Sequence, residues 1–148
     1  MARMARVTGE ALAVWERWLR AHRRILDQLD RELVAERGLT LEQYDVLHQL
    51  ASAPGPLRMG ELAASTLIAP SSCTRIVGGL VAEGWVVRSP DPGDRRVVRV
   101  GLTAAGAGAH RRAAAVHLRG IAELFADRLD AGSLEALGDI LDRLGDPG

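Results

Sequence analysis

The apolar periodicity of this 148-residue chain changes twice, and that pattern constrains the fold more than any other feature. Up to Glu83 apolar residues recur at three- and four-residue steps, the spacing of amphipathic helices. Over Val97–Leu102 they alternate, with Val98, Val100 and Leu102 on one face, the spacing of a half-exposed strand. From Thr103 the helical spacing returns. Scarce aromatics (3%) and abundant Ala and Leu also favour helices over a β-sandwich. A small β-element is therefore expected inside a mainly helical body.

The segments follow from this pattern. Leu12, Trp15, Leu19, His22, Leu26, Leu29 and Leu33 make one long helix over about 11–36, closed by Gly38. Thr40 caps a shorter helix marked by Tyr44, Leu47 and Ala51, and Ala53-Pro54-Gly55-Pro56 breaks it. A compact helix is expected over Leu57–Thr66. Another starts at Pro70, a favoured first helical residue, and Gly84 ends it. Strands over Trp85–Arg88 and Val97–Leu102 flank a turn-rich loop, Ser89-Pro90-Asp91-Pro92-Gly93-Asp94-Arg95-Arg96. Thr103 caps a long helix with Leu118, Ile121, Leu124, Phe125 and Leu129 on its stripe. A break at Ala131-Gly132-Ser133 precedes a last helix carrying Leu134, Leu137, Leu141 and Leu144.

Two short helices, a turn, and a hairpin with a charged tip read as a winged helix-turn-helix over about 40–102. Long helices flank it, at about 11–36 and 103–144, in a single domain spanning 1–148. In such a motif the second helix enters the major groove. On its wheel Cys73, Ile76, Val77 and Leu80 share the packed face, while Ser71, Arg75, Gly78 and Ala82 fall opposite. Arg75 can fork onto guanine O6 and N7, Ser71 can reach a base or phosphate, and Ser72 and Thr74 flank them as phosphate contacts. The mid-helix pair Gly78-Gly79 costs about 1 kcal/mol per residue relative to alanine. Ala69 occupies the N-cap position without a capping side chain.

Net charge is zero, so the whole chain carries no basic signature, and all 19 basic residues are arginine. The charge is local instead. Arg88, Arg95, Arg96 and Arg99 surround the hairpin against Asp91 and Asp94, the footprint of a phosphate-binding face. Asp94 is unsuited to touching DNA; it is expected to accept loop amides or to pair with an arginine and fix the tip.

Gly60-Glu61-Leu62-Ala63, Thr74-Arg75 with Leu80, Glu83-Gly84-Trp85, Arg88, Asp91-Pro92, Asp94-Arg95-Arg96 and Leu102-Thr103-Ala104-Ala105-Gly106 together resemble the MarR (multiple antibiotic resistance regulator) family. The resemblance implies a homodimer with interleaved terminal helices, each winged unit on one half of a pseudo-palindromic operator. In many members a small phenolic or anionic effector releases the DNA. It makes Arg75 and Arg96 the carried-over DNA contacts, with Arg95 beside them; from their place in and beside the hairpin, Arg88 and Asp94 are expected to support the wing.

The dimer also has an argument of its own. Trp15, Trp18, Leu19, Ile25 and Leu26, with Ile121, Leu124, Phe125, Ile140 and Leu141, are more apolar surface than a small winged domain can cover. Trp15, Trp18, His22, Tyr44 and His48 are the candidates for lining an aromatic or anionic effector pocket. His22, His48, His110 and His117 lack metal-binding spacing, so neither a metal nor another cofactor is expected. Cys73, the only cysteine, excludes an internal disulfide; its place on the packed face favours packing over a redox role.

No stretch approaches the roughly 20 apolar residues of a membrane span. Charges from Arg3 and Arg6 through Glu10, Glu16 and Arg17 leave no signal-peptide core, so a soluble cytoplasmic protein is expected. With no nucleophile–base pair, phosphate loop or metal constellation, an enzyme is not expected. The chain thus reads as a DNA-binding regulator, with double-stranded DNA and a second copy of itself as partners. A winged-helix protein-interaction module and a Cys73-based redox regulator are the alternatives.

Overall fold

The computed structural model describes residues 7–145, so Arg3 and Arg6 lie outside the described residues. Its elements run α1 (Gly9–Arg37), α2 (Leu41–Ser52), β1 (Leu57–Arg58), α3 (Met59–Ser65), α4 (Pro70–Ala82), β2 (Val86–Pro90), β3 (Val98–Leu102), α5 (Ala104–Leu124), a 3-10 turn (Ala126–Arg128) and α6 (Ala131–Gly145). The chain is mainly helical with a small antiparallel sheet in strand order β1-β3-β2.

The helix ends have local causes. Thr8, Thr40 and Thr103 each accept a backbone amide two or three positions into their helices, from Ala11, Gln43 and Gly106. Gln43 reaches back to the Thr40 amide at 2.8 Å and completes a capping box. Asp30 of α1 accepts the Leu41 amide at 2.8 Å, which ties α2 to the long helix. At the end of α4, Gly84 turns the chain with φ +75°, a conformation that side chains disfavour. The Trp85 amide then returns to Leu80 O at 3.0 Å before β2 begins.

Four boundaries differ from the periodicity reading. The first two residues of the expected Leu57–Thr66 helix form β1 instead, pairing Leu57 with Val100 and Arg58 with Arg99. Two residues are too few to show a period, and the free edge of β3 is visible only in three dimensions. Next, α5 stops at Leu124 rather than continuing past Leu129. Third, the break falls over Phe125–Asp130, not Ala131–Ser133. The Asp130 carboxylate accepts the Ser133 amide at 2.8 Å, so the last helix starts at Ala131. The first strand of the wing runs Val86–Pro90 instead of Trp85–Arg88, in register from Val86 opposite Leu102 to Pro90 opposite Val98.

Two buried clusters organise the interior. One lies within the winged unit and joins Val46, Leu47 and Leu50 of α2 to Leu62, Cys73, Ile76, Val77, Leu80, Val86 and Val100. Each such fully buried aliphatic contributes about 1.5–3 kcal/mol. The other joins Leu33, Leu39 and Tyr44 to Ala113 and Val116 of α5. Trp85 packs against both clusters and so links the wing to the long helices. At Gly120, α5 passes so close to α1 that a Cβ would press on Leu29 and on Glu32 Oε2.

The ends of the chain are unlike this interior. The first half of α1 buries nothing, leaving Trp15 52% exposed, and α6 has no buried residue, with Leu144 69% exposed. Among the described residues, the α6 stripe and the first half of the α1 stripe stay largely exposed, whereas Leu29 and Leu33 in the second half of α1 are buried.

Candidate nucleic-acid interface

The packed face of α4 matches the wheel: Cys73, Ile76, Val77 and Leu80 are buried. Ser71, Thr74 and Arg75 are exposed and Ser72 is half-buried. The Thr74 hydroxyl donates to Pro70 O at 3.2 Å, so part of its hydrogen-bonding capacity is used inside the helix. Ala69 supplies no side-chain cap, and Pro70 occupies the first turn. No side chain caps the amides of that turn, where the helix dipole favours an anion.

The wing is built around a residue that sequence reasoning counted only as a charge. Asp91 is 2% exposed. Its Oδ2 accepts Arg99 Nε at 2.7 Å and Arg58 Nε at 3.1 Å, while Oδ1 accepts the Gly93 amide at 2.8 Å and the Asp94 amide at 3.3 Å. The Arg99 hydrogen bond, then the Gly93 amide and the charge of Arg58, hold its carboxyl well below the usual carboxylate range. One carboxylate therefore shapes the loop and joins β1 to β3 through two arginines. The Asp-Pro-Gly sequence carries the signal of an Asx-type turn. Arg58, by contrast, comes from a strand the sequence did not reveal, and nothing local identifies it.

Asp94 is bound within the loop tip. It accepts the Arg96 amide at 3.0 Å and takes the Arg96 guanidinium on both oxygens, each at 3.1 Å. That side-chain contact is the main reason its pKa is lowered. Arg96 is thus braced at the tip with its side chain 91% exposed. Arg95 is also exposed. Arg88, expected to support the wing, crosses to α4 and donates to Thr74 O at 3.5 Å. Its guanidinium lies 3.6 Å from where a Cβ on Gly78 would stand, and a Cβ on Gly79 would meet nothing within 4 Å. Packing within the chain therefore explains neither glycine.

The five residues expected to line an effector pocket form two groups. Trp15, Trp18 and His22 run along exposed α1, with ring centroids 5.3 and 6.3 Å apart. Tyr44 is buried between α2 and α5, stacked on His48 and His110 and tilted against His117. His48 Nδ1 and His110 Nε2 are 3.2 Å apart. Sequence spacing gave no hint of this three-histidine cluster, because its members come from two helices. Burial, followed by the nearby His48, lowers the pKa of both His110 and His117. Among the described residues no group of three or more His, Cys, Asp or Glu is arranged to hold a metal ion. Cys73 is fully buried, and burial pushes its thiol up, the reverse of what a reactive thiolate needs. No described helix is long and apolar enough to cross a membrane.

This architecture is shared with solved structures. A MarR family transcriptional regulator from Streptomyces coelicolor, Sco3205, crystallised with DNA, is 33% identical, with a TM-score of 0.88 over 93% of this chain and 86% of that one. The chain belongs to the MarR family. The MarR family model matches residues 37–97, which hold the winged unit up to the second wing strand. A mutant MarR from Escherichia coli in complex with operator DNA is 25% identical, with a TM-score of 0.81 over 93% of this chain and 96% of that one. Among curated proteins, the multiple antibiotic resistance protein MarR of Escherichia coli (strain K12) is 34% identical over 83 residues, 55% of this chain. The chain spans between 56% and 63% of the length of its curated relatives. MarR-family proteins are transcription regulators, and the mainly helical winged architecture described above is theirs.

Proposed function

We propose that this MarR-family chain is a sequence-specific DNA-binding regulator that acts as a homodimer on a pseudo-palindromic operator. In this reading a small effector releases a repressor from its site. The observation that carries the proposal is the pairing of two presented surfaces. Arg75 and Ser71 stand on the outward face of α4, and Arg96 stands on a wing tip braced by Asp94 and anchored below by Asp91. Arg75 reads a base edge in the major groove. Ser71, Ser72, Thr74 and the open first turn of α4 hold phosphates. Arg95 and Arg96 engage the minor groove, where the potential is most negative, and the backbone beside it.

The DNA-bound relatives from Streptomyces coelicolor and Escherichia coli support this assignment. The dimer is supported by the exposed stripes of α6 and of the first half of α1, since a second copy provides the matching surface and a two-fold site suits a palindrome.

Sites selected from fragmented genomic DNA, then titrated by fluorescence anisotropy at several salt concentrations, test the reading. Arg75→Ala should reduce discrimination between selected and scrambled duplexes roughly 10- to 100-fold. Arg96→Ala should weaken binding to all duplexes and lower the salt slope by about one. Unchanged binding in both variants would refute the contacts, and failure of the wild type to bind any duplex would leave an interaction module.

A further inference from the structure

Three histidine rings gather on Tyr44 where α2 meets α5. Tyr44 and His48 come from α2, His110 and His117 from α5, and the ring centroids of the histidines lie 5.8, 5.6 and 4.4 Å from that of Tyr44. His48 is open to solvent, so protons reach the group. Its Nδ1 and His110 Nε2 share one hydrogen bond at 3.2 Å. Such a bond needs one ring nitrogen with a proton and one without. It therefore survives the first protonation of the pair and fails at the second. His117 Nδ1 is buried and has no hydrogen-bond partner among the described residues, so a proton there is unpaired as well.

Little around the cluster offsets new positive charge. The titratable and charged groups that face it are Tyr44 and Asp45 on α2 and Arg111 beside His110 on α5. Arg111 opposes protonation. Asp45 favours it, but its carboxylate is engaged elsewhere, accepting Gln49 Nε2 at 3.3 Å and the Leu67 amide at 3.2 Å. On α1, which packs against both helices, Asp30 accepts the Leu41 amide, Glu32 the Gln28 side-chain amide and Glu36 the Arg119 guanidinium. Helices α3 and α4 and strand β3 meet α2 through the apolar winged core.

The same helix supports α4. Val46, Leu47 and Leu50 share one buried cluster with Cys73, Ile76, Val77 and Leu80, and Asp45 holds the turn before α4 by the Leu67 amide. A displacement of α2 from α5 therefore moves the surface that presents Ser71 and Arg75.

We propose that the His48–His110 pair is an acid-sensitive latch, whose double protonation parts α2 from α5, shifts α4 and releases DNA. The consequence at DNA rests on the regulator reading, whereas the latch is a property of the seam itself. The sign of the effect is diagnostic. Added positive charge alone tightens DNA binding in acid, and an opened latch weakens it. Both protons must be taken up, so the loss is steep and falls below the ordinary histidine value of about 6.5.

The test uses the full chain and a duplex selected at pH 7.5, titrated by fluorescence anisotropy from pH 8 to pH 5.5 at constant ionic strength. Wild-type affinity should fall about tenfold or more between pH 7 and pH 5.5. Glutamine at position 110 still hydrogen-bonds to His48 and carries no charge, so the affinity of His110→Gln should hold or rise over that range. His48→Gln should behave alike. Hydrogen exchange at pH 5.5 reads the latch without DNA: amides of α2 and of Leu67 should exchange about tenfold faster in the wild type than in His110→Gln.

Wild-type affinity that stays flat or rises in acid, or an acid loss that persists in both variants, would overturn the latch. Equal exchange in wild type and variant would do the same. A wild type that binds no duplex at pH 7.5 yet shows the faster exchange overturns the regulator reading alone.

Discussion

Val77 in α4 and Leu141 in α6 occupy equivalent places, each on the apolar stripe of an amphipathic helix. Val77 is fully buried, whereas Leu141 is 45% exposed. The difference separates the two regions of the molecule. Helices α2 to α4 and the sheet close on one another around a shared core, and Asp91 ties the wing to that body. The first half of α1 and all of α6 carry stripes of the same kind that bury no residue among the described residues. Amphipathicity therefore reports that a face must be covered and says nothing about which chain covers it.

Side-chain truncation on the two stripes should break this comparison most sharply. Leu80→Ala, at a fully buried position of the winged core, should cost about 3 kcal/mol of unfolding free energy in urea, beyond any effect on self-association. Leu141→Ser in α6 should instead act through association, weakening the proposed dimer at least tenfold in sedimentation measurements. If both variants behaved alike, the division into a self-contained unit and an open surface would be wrong.

A smaller effect is expected at the anchor of the wing. Asp91→Asn leaves Arg58 and Arg99 without their shared anion, so the loop should loosen and DNA affinity fall by roughly tenfold, with the winged core still folded. Nuclear magnetic resonance spectra showing core signals unchanged and wing signals broadened would sharpen the contrast between core and tip. Wild-type DNA affinity in this variant would show that the anchor is dispensable.

The smallest effect concerns the seam between α2 and α5, where His110 and His117 pack against Tyr44. Their pKa values are lowered in the folded protein, so between the ordinary histidine value and the lowered one the unfolded chain binds more protons. Stability is therefore full above about pH 6.5 and declines as pH falls through the lowered values. The melting temperature should drop between pH 7 and pH 5 by a few degrees, and His117→Gln should reduce that drop. A flat profile in the wild type would contradict the role given to burial at this seam.

Much of the candidate interface could be read from residue order alone. The stripe Cys73, Ile76, Val77 and Leu80 determines which side of α4 is buried, and therefore that Arg75 faces out. The turn residues from Ser89 to Asp94 place a loop between two strands. The parts that escaped are those whose meaning lies across the chain. Arg58 joins Asp91 from 33 residues away, through a two-residue strand too short to have a period. His48 meets His110 from 62 residues away, and Tyr44 becomes the centre of a cluster that no spacing rule describes.

The change of period at Gly84 and its return at Thr103 are properties of the sequence, because steric preference and solvent pattern act locally along the chain. They determined the number of long helices, the place of the wing and the outward side of α4. Tertiary structure alone decided that Asp91 is the buried anchor rather than one more loop charge. It also brought Arg24 and Arg31 of α1 together with Arg128, from about 100 positions along the chain, around the neutral Gln28. Electrostatic partnership depends on distance through space, and the folded chain sets that distance independently of sequence separation.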